Sequence, residues 1–229
     1  MNDLIDRFLP LERDLFFAIN GSDSPFWDNV MWTYSGRFVW IPLFLFLLFM
    51  FFYKTPTKEA ILTAVFFALV LILADFISAS IFKPLFHRYR PTRYPDFQQF
   101  VDIVNGYRGG TYGFISGHAC TSFGIAVFLS LVFRNRWVTI TALLWATINS
   151  YTRIYLGVHF ISDILGGAIV GVLLALVFYE LYVWIRSRYF HTKPLSCIIF
   201  FCIFARKKRY ESIKDLSTLY RCRIESHHE

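Results

Sequence analysis

Five apolar runs, each near the length of a bilayer-crossing helix, limit what this chain can become: residues 38–53, 60–82, 117–133, 137–155 and 161–185. A hydrocarbon layer roughly 30 Å thick is crossed by about 20 helical residues. Inside it every backbone N–H and C=O must bond within the protein, which leaves helices or a closed barrel. Continuous apolar runs of this length read as helices rather than as alternating strands. The first run is short and is expected to reach back toward Met31. Hydrophobic residues make up 56% of the chain and charged ones only 17%, which excludes an ordinary soluble domain. The predicted class is all-α: a polytopic membrane helix bundle with about five transmembrane helices.

The flanks differ from this core. Leu4, Phe8, Leu11 and Leu15 recur at helical spacing with Asp3, Asp6, Arg7, Glu12 and Arg13 between them. That is the pattern of an amphipathic helix lying in the membrane interface. A second short surface helix is expected over residues 26–34, with Trp27 and Trp32 at headgroup depth. Residues 1–36 therefore read as an amphipathic interfacial segment, 37–186 as the membrane core and 187–229 as a basic cytoplasmic tail. In that tail the apolar stretch 195–205 is too short to cross, and Arg206, Lys207, Lys208 and Arg209 suit anionic lipid. The first twenty residues mix acids and bases without a small-residue cleavage site, so no secretory signal is expected. Cys120, Cys197, Cys202 and Cys222 have neither metal-ligand spacing nor a disulfide framework pattern. The net charge of +7 is spread over loops, tail and motifs, and no nucleic-acid partner follows from it.

Lys54, Lys58, Arg134, Arg136, Arg186 and Arg188 fall at one end of the five runs, together with the tail. The positive-inside rule makes that end cytoplasmic. The opposite, outer end carries a different set. Lys83 closes the second run, His118 opens the third, Arg153 closes the fourth and His159 opens the fifth. Successive spans alternate in direction, so all four reach one membrane face. Taken singly, each has a plainer use as an interfacial histidine or a snorkelling cation. Their coincidence on one face points to a site, because ionisable groups beside lipid are costly.

The residue types suit a phosphate ester. Lys83, Arg90 and Arg153 offer three cations to one anion, and arginine has the planar fork that matches phosphoryl oxygens. Ser116 is placed to cap the third helix, whose first N–H groups, at Gly117 and His118, form an anion site. Gly117 permits close backbone approach. His159 and Asp163 lie four apart, on one helical face. A carboxylate on one ring nitrogen fixes the tautomer and leaves the other nitrogen nucleophilic. His118 remains to protonate the leaving oxygen and then to activate water. Phosphoryl transfer needs mostly positioning and charge stabilisation, and this set supplies both without a metal or another cofactor.

These segments resemble the phosphatidic-acid phosphatase type 2 superfamily, which also contains vanadium haloperoxidases. The family pattern is Lys, six residues, Arg-Pro; then Pro-Ser-Gly-His; then Ser-Arg, five residues, His, three residues, Asp. Lys83 to Arg90-Pro91 fits. Ser116-Gly117-His118 fits, with Ile115 where the family has Pro. Arg153, His159 and Asp163 fit, with Thr152 in place of Ser. Neither replacement removes a catalytic group. The pattern runs from Lys83 to Asp163, about a third of the chain, and the apolar runs match the membrane branch.

The resemblance implies His159 as nucleophile, His118 as acid/base and Asp163 as the group orienting His159. It assigns phosphate binding to Lys83, Arg90, Ser116, Gly117 and Arg153. It further implies a lipid phosphate substrate, lipid A 4′-phosphate or undecaprenyl diphosphate, in a bacterial cytoplasmic (inner) membrane, with the site facing the periplasm. No obligate protein partner is inferred. Lipid-to-lipid phosphotransfer and a non-catalytic lipid-phosphate receptor are the alternatives.

Several residues carry two readings. Asp75, eight residues before Lys83, either supports a motif cation or pairs with a neighbouring Ser or Asn. His87 and Arg88 either touch the headgroup or anchor in lipid. Tyr94, Phe97, Phe100, Tyr107, Tyr112 and Phe114 either frame the headgroup or form an aromatic belt. Asn149 and Ser150 are expected to bond between helices.

Overall fold

The computed structural model describes residues 2–20, 24–36 and 38–190, and each of the five apolar runs is helical there. Helices α1 (Asn2–Phe17) and α2 (Pro25–Ser35) come first. A short 3-10 turn at Phe38–Trp40 leads into α3 (Ile41–Phe52). Helix α4 (Thr57–Phe76) passes through a π-helical stretch, Ile77–Phe82, into α5 (Lys83–Phe86), making one rod of 30 residues. Then follow α6 (Gly117–Phe133), α7 (Arg136–Tyr155) and α8 (Ile161–Tyr189). Among the described residues there is no strand, only one bridge between Tyr89 and Tyr112.

By length and composition two rods can cross a membrane, Thr57–Phe86 and Ile161–Tyr189. A third is available if the bent pair Pro25–Ser35 and Phe38–Phe52 acts as one span. The described helices up to Tyr182 form one compact unit; from Val183 onward the described chain is the end of α8. The predicted tail features, the stretch 195–205, the basic cluster 206–209 and Cys197, Cys202 and Cys222, lie outside the described residues. So do the side chains of Leu4 and Phe8.

Helix α6 is the central element, with Ala119, Cys120, Gly124, Ala126 and Phe128 all buried. Small side chains let α8 approach it closely. A Cβ on Gly171 would lie 2.1 Å from the Cys120 carbonyl oxygen, and one on Gly167 would lie 2.5 Å from that of Ser116. Between helices in lipid, packing and hydrogen bonds replace the hydrophobic effect, and a seam of small residues gives the closest packing. The seam also sets the register, since the Ser116 N–H donates to the Asp163 carbonyl at 2.9 Å. Across the bundle, the Asn149 amide of α7 donates to Ser122 Oγ of α6 at 2.6 Å, the interhelical bond predicted for that residue.

The N-terminal part packs against the connector 84–114 as well as exposing side chains. Leu11 and Leu15 of α1 are exposed, whereas Phe16 is fully buried with Phe97, Val101, Ile154 and Phe160. Asn20 uses its whole amide here. Its Nδ2 donates to the carbonyls of Asp102 and Tyr155 at 3.0 and 2.9 Å, and its Oδ1 accepts from the Asp102 N–H at 2.9 Å. The connector 84–114 is thereby pinned between α1 and the end of α7. Its own turns close through Arg90 N–H to the Thr111 carbonyl and Gly113 N–H to the Arg88 carbonyl, at 3.2 and 2.8 Å.

Gly171→Val places a branched side chain against backbone that cannot move aside. It should cost about 1–3 kcal/mol or more and lower the midpoint of thermal unfolding in detergent. It should also disturb the Ser116–Asp163 contact, which the same seam aligns.

Candidate active site

The motif-bearing ends of the α4–α5 rod, α6 and α7, with the turn before α8, open onto one cavity of about 380 Å³. Six of the eight residues predicted from sequence line it: Lys83, Arg90, Gly117, His118, Arg153 and His159. All three motifs are therefore present, and both imidazoles share the same space as the cations. The other two residues stand behind the wall. Ser116 is fully buried and caps α6, its Oγ accepting from the Ala119 N–H at 3.4 Å. Asp163 is fully buried behind His159.

The hydrogen bonds of His159 fix its tautomer. Its Nδ1 lies 3.2 Å from Asp163 Oδ2, and its Nε2 lies 3.1 Å from an Arg90 guanidinium nitrogen. Arginine can only donate, so Nε2 is the acceptor and carries the lone pair. The hydrogen then sits on Nδ1, donated to the carboxylate. Burial pushes the imidazole well below the ordinary histidine value, and the cations Arg90, Arg153, Lys83 and Arg88 push it in the same direction. His159 is thus neutral, with its Nε2 lone pair held by Arg90 in a cationic cavity.

The cations are held from behind. Arg90 donates to the carbonyls of Tyr112 and Val158 at 3.1 and 3.2 Å. Arg153 bonds the Ser35 hydroxyl and donates to the Tyr107 hydroxyl at 3.2 Å. Burial presses the Arg90 guanidinium below its ordinary value, and Arg153 adds to this. Clustered like charges of this kind repel one another, and an anion among them removes the repulsion. His118 Nε2 lies 3.4 Å from the Ser35 carbonyl.

Neither Glu12 nor Ser35 is marked as a site residue by the sequence, and Arg88 is neither a headgroup contact nor a lipid anchor. Arg88 bonds Asp163 Oδ1 at 2.8 Å, pairs with Glu12 Oε2 and lies over the Phe160 ring at 4.6 Å. Glu12 Oε1 in turn accepts from the Ser162 N–H at 2.8 Å. A relay therefore runs from α1 to the cavity imidazole: Glu12, Arg88, Asp163, His159. Only the His159–Asp163 step is local in sequence; the Glu12–Ser162 contact spans 150 positions, and no local pattern could disclose it. Gly113 makes room for this core, since a Cβ there would sit 3.0 Å from Asp163 Oδ2 and 3.2 Å from Arg90 Cγ.

The predicted aromatic set divides. Tyr107 lines the cavity, Phe97 is core, Phe100 is exposed and Phe114 packs on Phe86. Asp75 lies on the cavity wall with Lys83. Among the described residues no group of three or more His, Cys, Asp or Glu side chains is arranged to hold a metal ion.

This arrangement has counterparts. The lipid A 4′-phosphatase of Porphyromonas gingivalis is 41% identical over 185 residues, covering 81% of this chain and 78% of that protein. The lipid A 4′-phosphatase of Bacteroides thetaiotaomicron is 40% identical, covering 73% of this chain and 75% of its own. The crystal structure of Aquifex aeolicus LpxE shares the fold, with a TM-score of 0.56 at 24% identity over 74% of this chain and 95% of that one. The PAP2 superfamily matches residues 63–187, more than half of the chain and all three motifs. Three motifs gathered on one cavity and a family match spanning them lead to one conclusion: the chain belongs to the PAP2 superfamily.

Proposed function

We propose that the chain, a membrane lipid phosphatase, removes the 4′-phosphate of lipid A through a phosphohistidine formed on His159. The observation that carries the mechanism is the placement of a neutral His159 between Asp163 and Arg90 in a cationic cavity. The two relatives of about 40% identity, both lipid A 4′-phosphatases, support the choice of lipid.

In the first step the phosphate monoester enters among Lys83, Arg90 and Arg153. The Arg90 N–H that now meets His159 Nε2 turns to a phosphoryl oxygen and releases the lone pair. Nε2 attacks phosphorus; the P–N bond forms as the P–O ester bond breaks. His118 gives its proton to the departing sugar oxygen. Asp163 stabilises the imidazolium that results, through the Nδ1–H bond. In the second step His118 takes a proton from water, the resulting hydroxide attacks phosphorus, the P–N bond breaks and inorganic phosphate leaves. Ser116 fixes the start of α6 and so aims the Gly117 and His118 N–H groups at the phosphoryl oxygens.

The same reading takes all five apolar helices as spans, with residues 1–36 at the interface, 37–186 as core and 187–229 as cytoplasmic tail. Helix α7 is the most polar of the five, yet Thr139, Thr141 and Thr147 each bond a carbonyl one turn back on their own helix, at 3.2, 2.7 and 2.9 Å. Hydroxyls satisfied in this way can face lipid. The basic connectors favour a cytoplasmic inner end, and the cavity then faces the periplasm across the inner membrane.

Four outcomes test this. His159→Ala should reduce phosphate release from lipid A micelles by a factor on the order of 10³ or more while the folded protein persists in detergent; retained turnover removes the nucleophile assignment. Wild type should release phosphate faster from lipid A than from undecaprenyl diphosphate or phosphatidylglycerophosphate, and the reverse order moves the substrate reading to the preferred lipid.

Because a lowered His159 stays neutral as acid is added, the acid limb of kcat/KM should lie below pH 6.5, the ordinary imidazole value. A limb at or above that pH contradicts the electrostatics of the cavity. Finally, Glu12→Gln loosens the relay at its far end without touching the cavity. It should lower kcat by about 10- to 100-fold with KM nearly unchanged, measured under saturating lipid A.

A further inference from the structure

We propose that the floor of the cavity is a second subsite, which binds hydroxyl groups of the sugar that bears the phosphate. It rests on the lipid A reading above and extends it from the phosphate to the headgroup. A cavity of about 380 Å³ falls within the range of about 300–1,000 Å³ that encloses an organic ligand rather than an ion alone. It continues past the cations along α7 as far as Trp145, eight residues before Arg153, or about 12 Å at the rise of an α-helix.

The chemistry of the wall changes over that distance. In place of guanidinium groups there are two indoles, Trp40 and Trp145, with ring centroids 5.4 Å apart and planes 82° apart. Asp75, Ser122 and Asn149 line the same cavity. Flat apolar faces beside hydroxyl, amide and carboxylate groups suit a sugar ring, which is apolar on its C–H faces and polar at its edge.

Two polar atoms in this region have no partner. Trp40 Nε1 donates to the Tyr34 carbonyl at 2.9 Å, but Trp145 Nε1 is buried without an acceptor. Asn149 is 6% exposed; its Nδ2 is used on Ser122 and its Oδ1 bonds nothing. Turning the amide over changes which atom is left, not that one is left. Leaving such groups unpaired is costly. Trp145 and Asn149 are four apart, hence on one face of α7. An indole N–H can only donate and an amide oxygen can only accept, and a hydroxyl, which does both, is a partner for either. A polyprenyl chain carries no such group.

Kinetics on two substrates test the subsite: lipid A, and dodecyl phosphate, which has a phosphate monoester but no sugar. Trp145→Phe keeps a ring and removes only the N–H; Asn149→Leu removes the amide at similar volume. Each should raise KM for lipid A by about fivefold to tenfold, one lost hydrogen bond, while dodecyl phosphate kinetics stay within about twofold of wild type. Equal losses on both substrates, as general packing damage would give, overturn the subsite, and so does an unchanged KM for lipid A in the folded Trp145→Phe protein. A wild-type enzyme that cleaves dodecyl phosphate but not lipid A overturns the glycolipid reading itself, and the subsite with it.

Discussion

The Asp163 carboxylate, fully withdrawn from solvent, is the group on which the other parts of the site converge. Its Oδ2 accepts from His159 Nδ1 and from the Phe160 N–H at 3.0 Å; its Oδ1 accepts from Arg88; its main-chain carbonyl accepts from Ser116. A buried carboxylate is tolerable only when its lone pairs are taken up by donors. Here the donors to this one residue come from each of the three motif segments, so satisfying it assembles all of them. Losing a donor to the carboxylate leaves an under-paired charge in a dry interior, a heavier penalty than losing one ordinary contact.

The cations obey the complementary logic. Arg90 and Arg153 stand in one cavity with Lys83, and each guanidinium is held from behind by carbonyl or hydroxyl oxygens. Neutral oxygens fix direction without cancelling charge. The positive potential is therefore left available for a phosphate, which carboxylate partners would have neutralised. Of the carboxylates nearby, Glu12 and Asp163 pair with Arg88, which does not line the cavity, while Asp75 stands on the wall with Lys83.

Much of this is legible in the amino-acid sequence. Apolar runs mark α3, α4, α6, α7 and α8 as helices because lipid leaves the backbone few choices, and the alternation of direction places Lys83, His118, Arg153 and His159 at one end. Arg88 is harder, because an arginine amid aromatics at a helix end looks like an anchor, and only the fold reveals the acids that enclose it. Glu12 belongs to a polar stripe, and an amphipathic pattern cannot say whether that stripe faces water or protein. The small-residue seam at Gly167 and Gly171 is silent in sequence, since glycines in an apolar helix acquire meaning only once the partner helix is known. Local periodicity reports on elements; contacts across many residues report on the site.

The Glu12–Ser162 contact also bears on how the enzyme comes into being. Synthesis delivers the start of α8 some 150 positions after α1, so the acid of α1 waits for α8 before its contacts are complete. Until α8 is threaded, Arg88 lacks one of its two carboxylates and His159 has only just been made. The chain of contacts from Glu12 through Arg88 and Asp163 to His159 therefore closes only once α8 is in place.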